Sequence, residues 1–422
     1  MLPFEQAWYR RLIAFSFALG AAGGVLGLVY LGATGAVVDV IFDRGGVTWW
    51  SGEWWWIPLV SLGGLVVAAM RRAWQVPEKV PGGVELIESG HVDHRTVPQW
   101  VAIAAVSAVA GASLGPSFAL VLIGGGLGSL IVSRRWAESE AGEYYTLTGI
   151  AGGFGAAFTS PVLGAFLVSE IGPTPKHRYT AAMLPQLIAA SIGFVIFFSV
   201  AGRTFLGIYE LPPYEFEVVD MAIAVGLGVF AAVVMAVFLA VIVAVRKLAG
   251  LISNPYVLGF TAGAAVGLIA FSLPLTLGAG QSQLGSVVEE ASTLGIGLLI
   301  AVLVAKMAAM ALSLAVGFMG GNVFPMIFIG GTAGVIVHLL LPDIPEALAV
   351  SCMLAAVPGS YLNAPVSMTF IAVIAISLDP RATAPVAVAV ITAYLTIAIV
   401  RFLIGRRRSA DRRSGPDVVV AD

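Results

Sequence analysis

From Met221 to Val245 the chain runs without a single charged residue. About 20 such residues in a helix cross the hydrocarbon core of a bilayer, so this segment predicts a membrane-spanning helix. Further spans are expected at about Leu12–Phe42, Ile57–Met70, Val97–Leu114, Ala181–Val200, Val257–Phe271, Gly295–Leu314 and Ala382–Leu403. Charged residues make up only 11% of the whole, where a soluble domain carries about 25%. There is too little polar surface to cover a water-exposed globule, and lipid is the remaining solvent. The expected class is an all-α polytopic membrane protein with a lipid bilayer as its main partner. A net charge of −2 gives no reason to expect a nucleic-acid partner.

The 50 glycines and 22 prolines are too many for uninterrupted spans. Four apolar pieces look too short or too broken to cross the membrane simply: Phe118–Val132, Thr148–Ser169, Met326–Leu341 and Ser351–Ile376. Paired short helices at membrane depth are a transporter signature. Basic clusters at Arg10–Arg11, Arg71–Arg72, Arg134–Arg135, Lys176–Arg178, Arg246–Lys247 and Arg406–Arg413 share one side, expected to be cytoplasmic. Trp49–Trp56 and the acidic stretch Tyr209–Asp220 fall on the other. Both termini are then cytoplasmic, in a multi-pass protein of the plasma (inner) membrane. The transmembrane domain is expected over residues 1–405, with a disordered basic tail at 406–422. Cys352 reads as a small buried hydrophobe, and His91 and His94 read as connector residues rather than metal ligands.

The chain also repeats itself. Gly115, Phe118, Ile123, Gly124, Gly125 and Gly128 each find the same residue type 206 positions later, at Gly321, Phe324, Ile329, Gly330, Gly331 and Gly334. Pro161-Val162 recurs at Pro365-Val366, 204 positions on. Two related halves, about 7–200 and 217–403, imply a pseudo-two-fold axis with the working site where they meet. Each copy is a glycine-containing loop leading into an apolar helix. A helix start presents unpaired N–H groups and about half a positive charge, so several converging at mid-membrane could hold an anion without a full charge. The glycines would equally permit close helix packing.

At these loops the sequence resembles the CLC family of chloride channels and proton-coupled chloride antiporters, over about Ala7–Leu403. Gly111-Ala-Ser-Leu-Gly115-Pro-Ser-Phe-Ala119 leading to Ile123-Gly-Gly125 is similar to the family's G-S-L-G-x-E-G-P segment. Gly320-Gly-Asn-Val-Phe-Pro325 is similar to its G-G-x-F-x-P segment, and Ala156–Pro161 with Gly164 and Glu170 to its A-A-F-x-A-P helix. The resemblance implies an inverted repeat of broken, short and tilted helices, a homodimer with one pathway per subunit, and dimer helices near Ala181–Val200 and Ala382–Leu403. It implies anion-binding groups at Gly82, Gly83, Val84, Ser117, Phe118, Ala119, Asn322, Val323 and Phe324.

This chain departs from the family pattern where chemistry matters. The gapless alignment puts Ser117 where the family's gating glutamate stands, and a shifted frame puts Leu114 or another neighbour there; none is a carboxylate, and serine cannot titrate near neutral pH. The inner glutamate of antiporters aligns with Ile171, beside Glu170. The inner serine aligns with Gly82, and the gate tyrosine has no match, since Tyr394 lies inside the last helix. Glu170 is therefore the nearest surviving candidate for a proton-related role, its other reading being a helix end near Lys176. Asn322 is either an anion donor or a helix cap. The expected function is passive transport of a small inorganic anion, chloride first, uncoupled from protons. A proton-coupled antiporter using Glu170 or Glu289–Glu290, and a transport-dead structural subunit, are the alternatives. No nucleophile–base set, metal cluster or phosphate loop suggests an enzyme, and no cofactor is expected beyond the transported anion.

Overall fold

The computed structural model describes residues 3–42, 51–135, 141–158, 160–174, 178–202, 205–206 and 209–413. Trp49, Thr159, Lys176, His177 and the last part of the basic tail, 414–422, lie outside them. Among the described residues there are sixteen α-helices and no strand. The first eight are α1 (Ala7–Phe42), α2 (Trp56–Ala73), α3 (Gly83–Ser89), α4 (Val97–Val109), α5 (Ser117–Arg135), α6 (Gly142–Gly155), α7 (Pro161–Ile171) and α8 (Tyr179–Ala201). The second eight are α9 (Asp220–Ala249), α10 (Pro255–Ser272), α11 (Gln281–Glu289), α12 (Ala291–Val316), α13 (Val323–Leu340), α14 (Glu346–Gly359), α15 (Pro365–Ala375) and α16 (Thr383–Arg413).

The two sets pair off in order. α5 packs on α6 as α13 packs on α14, and α1 on α8 as α9 on α16, while α2 and α10 pack across the halves. Glycine explains how the inner pairs approach so closely. A Cβ on Gly124 would collide with the Gly149 carbonyl, and one on Gly330 with the Met353 carbonyl. These positions are the same 206 and 204 residues apart. α6, α13 and α14 are buried along most of their length. The outer helices show apolar stripes instead. Val225, Val229, Val233 and Val237 of α9, one turn apart, are each at least 44% exposed. A water-soluble surface does not carry such a stripe, whereas a lipid-facing one does.

Nine helices among the described residues are long and apolar enough to cross a membrane. They include α5 and α13, the sites of two pieces that the sequence reading judged too short. Their glycines sit in close helix crossings rather than in breaks. α7 and α15 are indeed short, at 11 residues each. α4 stops at Val109 rather than Leu114, because Gly111 takes φ +81 and turns the chain. α12 begins before the expected Gly295, with a kink at that glycine, φ +72. The basic tail is not wholly irregular: α16 continues to Arg413. Alanine and arginine sustain a helix, and the first breakers after Arg406 are Gly415 and Pro416.

Candidate functional site

The two repeated loops meet each other. Gly115 N–H donates to the Gly321 carbonyl at 2.7 Å, and Gly321 N–H donates back to Gly115 at 2.6 Å. Each loop leaves its preceding helix through a left-handed glycine, Gly111 at φ +81 and Gly317 at φ +86. Each is also tied to the opposite half by a serine. Ser113 N–H donates to Ser313 Oγ and Met319 N–H to Ser107 Oγ, both at 3.1 Å. The two hydroxyls donate in turn to Ala309 and Ile103 carbonyls one turn back. The equivalent positions, Gly115 and Gly321, Gly111 and Gly317, Ser107 and Ser313, Ser113 and Met319, and Ile103 and Ala309, are each 206 residues apart. The pseudo-two-fold axis therefore runs between Gly115 and Gly321.

Around this axis three of the sequence-predicted segments come together. Ser117, 5% exposed, opens α5 with its Oγ laid against Gly321, where a Cβ would overlap it. A Cβ on Gly115 would lie 3.0 Å from the Phe324 ring. Phe118, Ala119, Val323 and Phe324 are all buried. The start of α3 reaches the start of α5, since a Cβ on Gly83 would lie 3.6 Å from Phe118 Cα. Gly83 thus adjoins the Ser117–Ala119 turn, which adjoins Asn322–Phe324, whereas a Cβ on Gly82 would meet open space. Phe324 is boxed by Phe158 and Phe205, with ring centroids 6.0 and 5.2 Å away.

Several polar details depart from expectation. Gly82 N–H is taken by Glu85 Oε2 at 3.1 Å, the half of a capping box that a glycine allows. Asn322 does not cap α13 with its side chain, and its buried Oδ1 has no hydrogen-bond partner. Arg71 donates to the Gly317 carbonyl and to those of Pro77 and Glu78, and so holds the connector to α3 against the second loop.

Glu170 does not merely end its own helix. Its carboxylate accepts from the N–H groups of Val366 and Ser367, both at 2.8 Å, and from Ser367 Oγ at 2.6 Å. It caps α15 from the opposite half, where an anionic group offsets the helix dipole. Nearby, Asn363 donates to Glu88 at 3.1 Å. Glu170 thus ties α7 to α15, and the Asn363–Glu88 bond ties the turn before α15 to α3. Glu289 and Glu290 sit at the junction of α11 and α12, as a helix end and the residue before a helix start.

Sequence reasoning passed over Lys306. It is fully buried in α12, and its Nζ donates to the carbonyls of Thr276 at 3.0 Å and Gly278 at 2.7 Å. The signal was available: it is the one charge in the Gly295–Leu314 span, and ionisable residues inside spans are rare and functional by default.

Comparison with known proteins agrees with this architecture. The profile of the family described as voltage gated chloride channel matches residues 63–398. YfeO proteins of Salmonella newport (strain SL254) and Salmonella typhimurium (strain LT2), named for ion transport, are 26% identical over 306 residues, covering 71% of this chain and 72% of theirs. Among solved structures, a slow cyanobacterial Cl−/H+ antiporter superposes with a TM-score of 0.78, and a CLC-type fluoride/proton antiporter with 0.76. Each is 18% identical and covers 92% of this chain and 95% of its own, a likeness of fold.

Proposed function

This chain belongs to the voltage-gated chloride channel family, whose trade is anion transport, and on that premise we propose that it carries chloride passively, without exchanging protons. Ser117 carries the proposal. It stands at the contact between the two loops, where the resemblance calls for a glutamate, and its hydroxyl can donate to a halide but cannot ferry a proton at neutral pH. The anion would be held by N–H groups at Gly83–Val84, Ser117–Ala119 and Asn322–Phe324, with the Ser117 hydroxyl as a side-chain donor. Gly82 contributes less, its N–H being engaged by Glu85. Such a site attracts an anion through partial charges and lets it leave.

Glu170 is the first carboxylate that proton coupling would call on. Three hydrogen bonds hold it on α15, which supports a structural duty over a mobile one. The working unit is a homodimer with one pathway per subunit, joined through the lipid-exposed faces of α8 and α16, with both termini on the cytoplasmic side. The test is chloride efflux from vesicles reconstituted with the purified protein, with proton movement recorded alongside. Chloride should leave without protons, and the reversal potential should ignore a pH gradient. A reversal potential that moves with the proton gradient would overturn the proposal.

A further inference from the structure

Lys306 has three N–H donors and three enclosing surfaces. Two are the carbonyls of Thr276 and Gly278, in the turn that leads into α11. The third is the Phe328 ring, whose centroid lies 5.1 Å from Nζ, within the range of a cation–π contact. Gly280 closes the remaining gap, since a Cβ there would lie 3.1 Å from Nζ and 3.0 Å from Phe328. Among the described residues no carboxylate is placed to pair with it, and its hydrogen bonds go to backbone carbonyls. An ammonium taken out of water without a counter-charge is costly, and chains retain one only where something compensates.

What lies near it supplies the compensation. Phe328 and Phe324 are one turn apart on α13, about 6 Å along the axis, and Phe324 packs on Gly115 at the loop contact. The charge is thus set back from the loops by a wall of two phenylalanines, too enclosed for an anion to touch. A contacting lysine would trap its anion. A shielded one raises the anion's occupancy and leaves its release to the weaker N–H groups.

We propose that Lys306 is a positioning residue whose ammonium charge, acting through the Phe328–Phe324 wall, sets how strongly the loop site attracts its anion. The inference rests on the transport reading above, and the transported anion is then the missing counter-charge. Its place in the repeat supports the assignment. The position 206 residues earlier is Trp100, so the charge is present in one half only.

The test measures chloride efflux against chloride concentration for the full chain in vesicles, with Lys306→Gln, Lys306→Met and Lys306→Arg. Gln keeps donors for the two carbonyls and removes the charge, Met removes both, and Arg keeps the charge. A unit charge about 12 Å away at an effective dielectric constant of about 20 corresponds to roughly a tenfold change in affinity. Lys306→Gln and Lys306→Met should therefore raise the half-saturating chloride concentration about tenfold, with maximal flux lowered less. Lys306→Arg should stay within about twofold of the native value. Native half-saturation in Lys306→Gln would make the lysine a tether only and overturn the proposal, as would equal defects in Arg and Gln. Failure of all three variants to fold would make it a folding residue and overturn it too. Absence of chloride flux from the native protein would instead sink the transport reading itself.

Discussion

The halves α1–α8 and α9–α16 agree where backbone geometry decides and differ where side-chain chemistry does. Gly111 and Gly317 turn the chain with nearly the same φ, and Ser107 and Ser313 accept equivalent N–H groups across the axis. Against this, α3 meets α5 at its first turn, through Gly83 and Phe118, whereas Gly280, just before α11, meets α13 a turn further along, at Phe328. Lys306 Nζ lies at that second contact, beside Gly280 and Phe328. Glu170 likewise has no acidic twin, the position 204 residues on being Ile374. The two halves share a backbone frame and differ in the side chains set on it. Three helix starts, not four, surround the loop contact.

The hardest blow to the shared frame should come from the axis itself. Gly321 has no room for a side chain because Ser117 occupies it. Gly321→Val forces the loops apart and should cost about 3 kcal/mol or more, at the upper end for overpacking a core. Thermal unfolding of the purified protein in detergent measures it. Pairing Gly321→Ala with Ser117→Gly should recover most of the loss that Gly321→Ala causes alone. No recovery would mean that the two residues do not share that space.

A smaller effect is expected from the asymmetric carboxylate. Glu170→Gln replaces a charged acceptor of three hydrogen bonds with a neutral one, which should cost about 1–2 kcal/mol of stability. Chloride flux should persist, still without protons. Loss of a proton current on this substitution would reverse the comparison, making Glu170 a transport residue rather than a clasp between α7 and α15.

Legibility in the sequence followed the same division. Spans could be read because lipid demands apolar length, and the repeat because close approaches and left-handed turns select glycine at fixed intervals. Those constraints act on single positions. Glu170 could not be read as a cap on α15, since its partner Ser367 is 197 residues away and nothing local marks the pair. The proton-related role considered for Glu170 came from sequence adjacency to Ile171, which says nothing of where a carboxylate reaches. Asn322 looked like a cap because asparagine so often is one, yet its side chain makes no such bond. Glycine-rich α5 and α13 looked broken because close packing and helix breaking use the same residue. The loop segments near Gly83, Ser117 and Phe324 were legible as a group only through the repeat and the family resemblance, since their adjacency is tertiary.

The finest test of the shared frame asks whether matched contacts carry matched energies. Ser107→Ala strands the Met319 N–H, and Ser313→Ala strands the Ser113 N–H. Both serines are buried, at 1% and 0% exposure. Leaving a buried donor unpaired costs about 1–3 kcal/mol, so each substitution should destabilise by that amount. The informative quantity is the difference between them. If the axis is mechanically symmetric, the two losses should agree within about 0.5 kcal/mol, and the double variant, whose serines tie the same pair of loops, should depart from their sum. Should Ser313→Ala cost clearly more, the second-half loop is the stiffer one. The burden would then follow Lys306, which sits two turns earlier on the same helix and clamps the turn whose Thr276 carbonyl also faces the Ser113 hydroxyl.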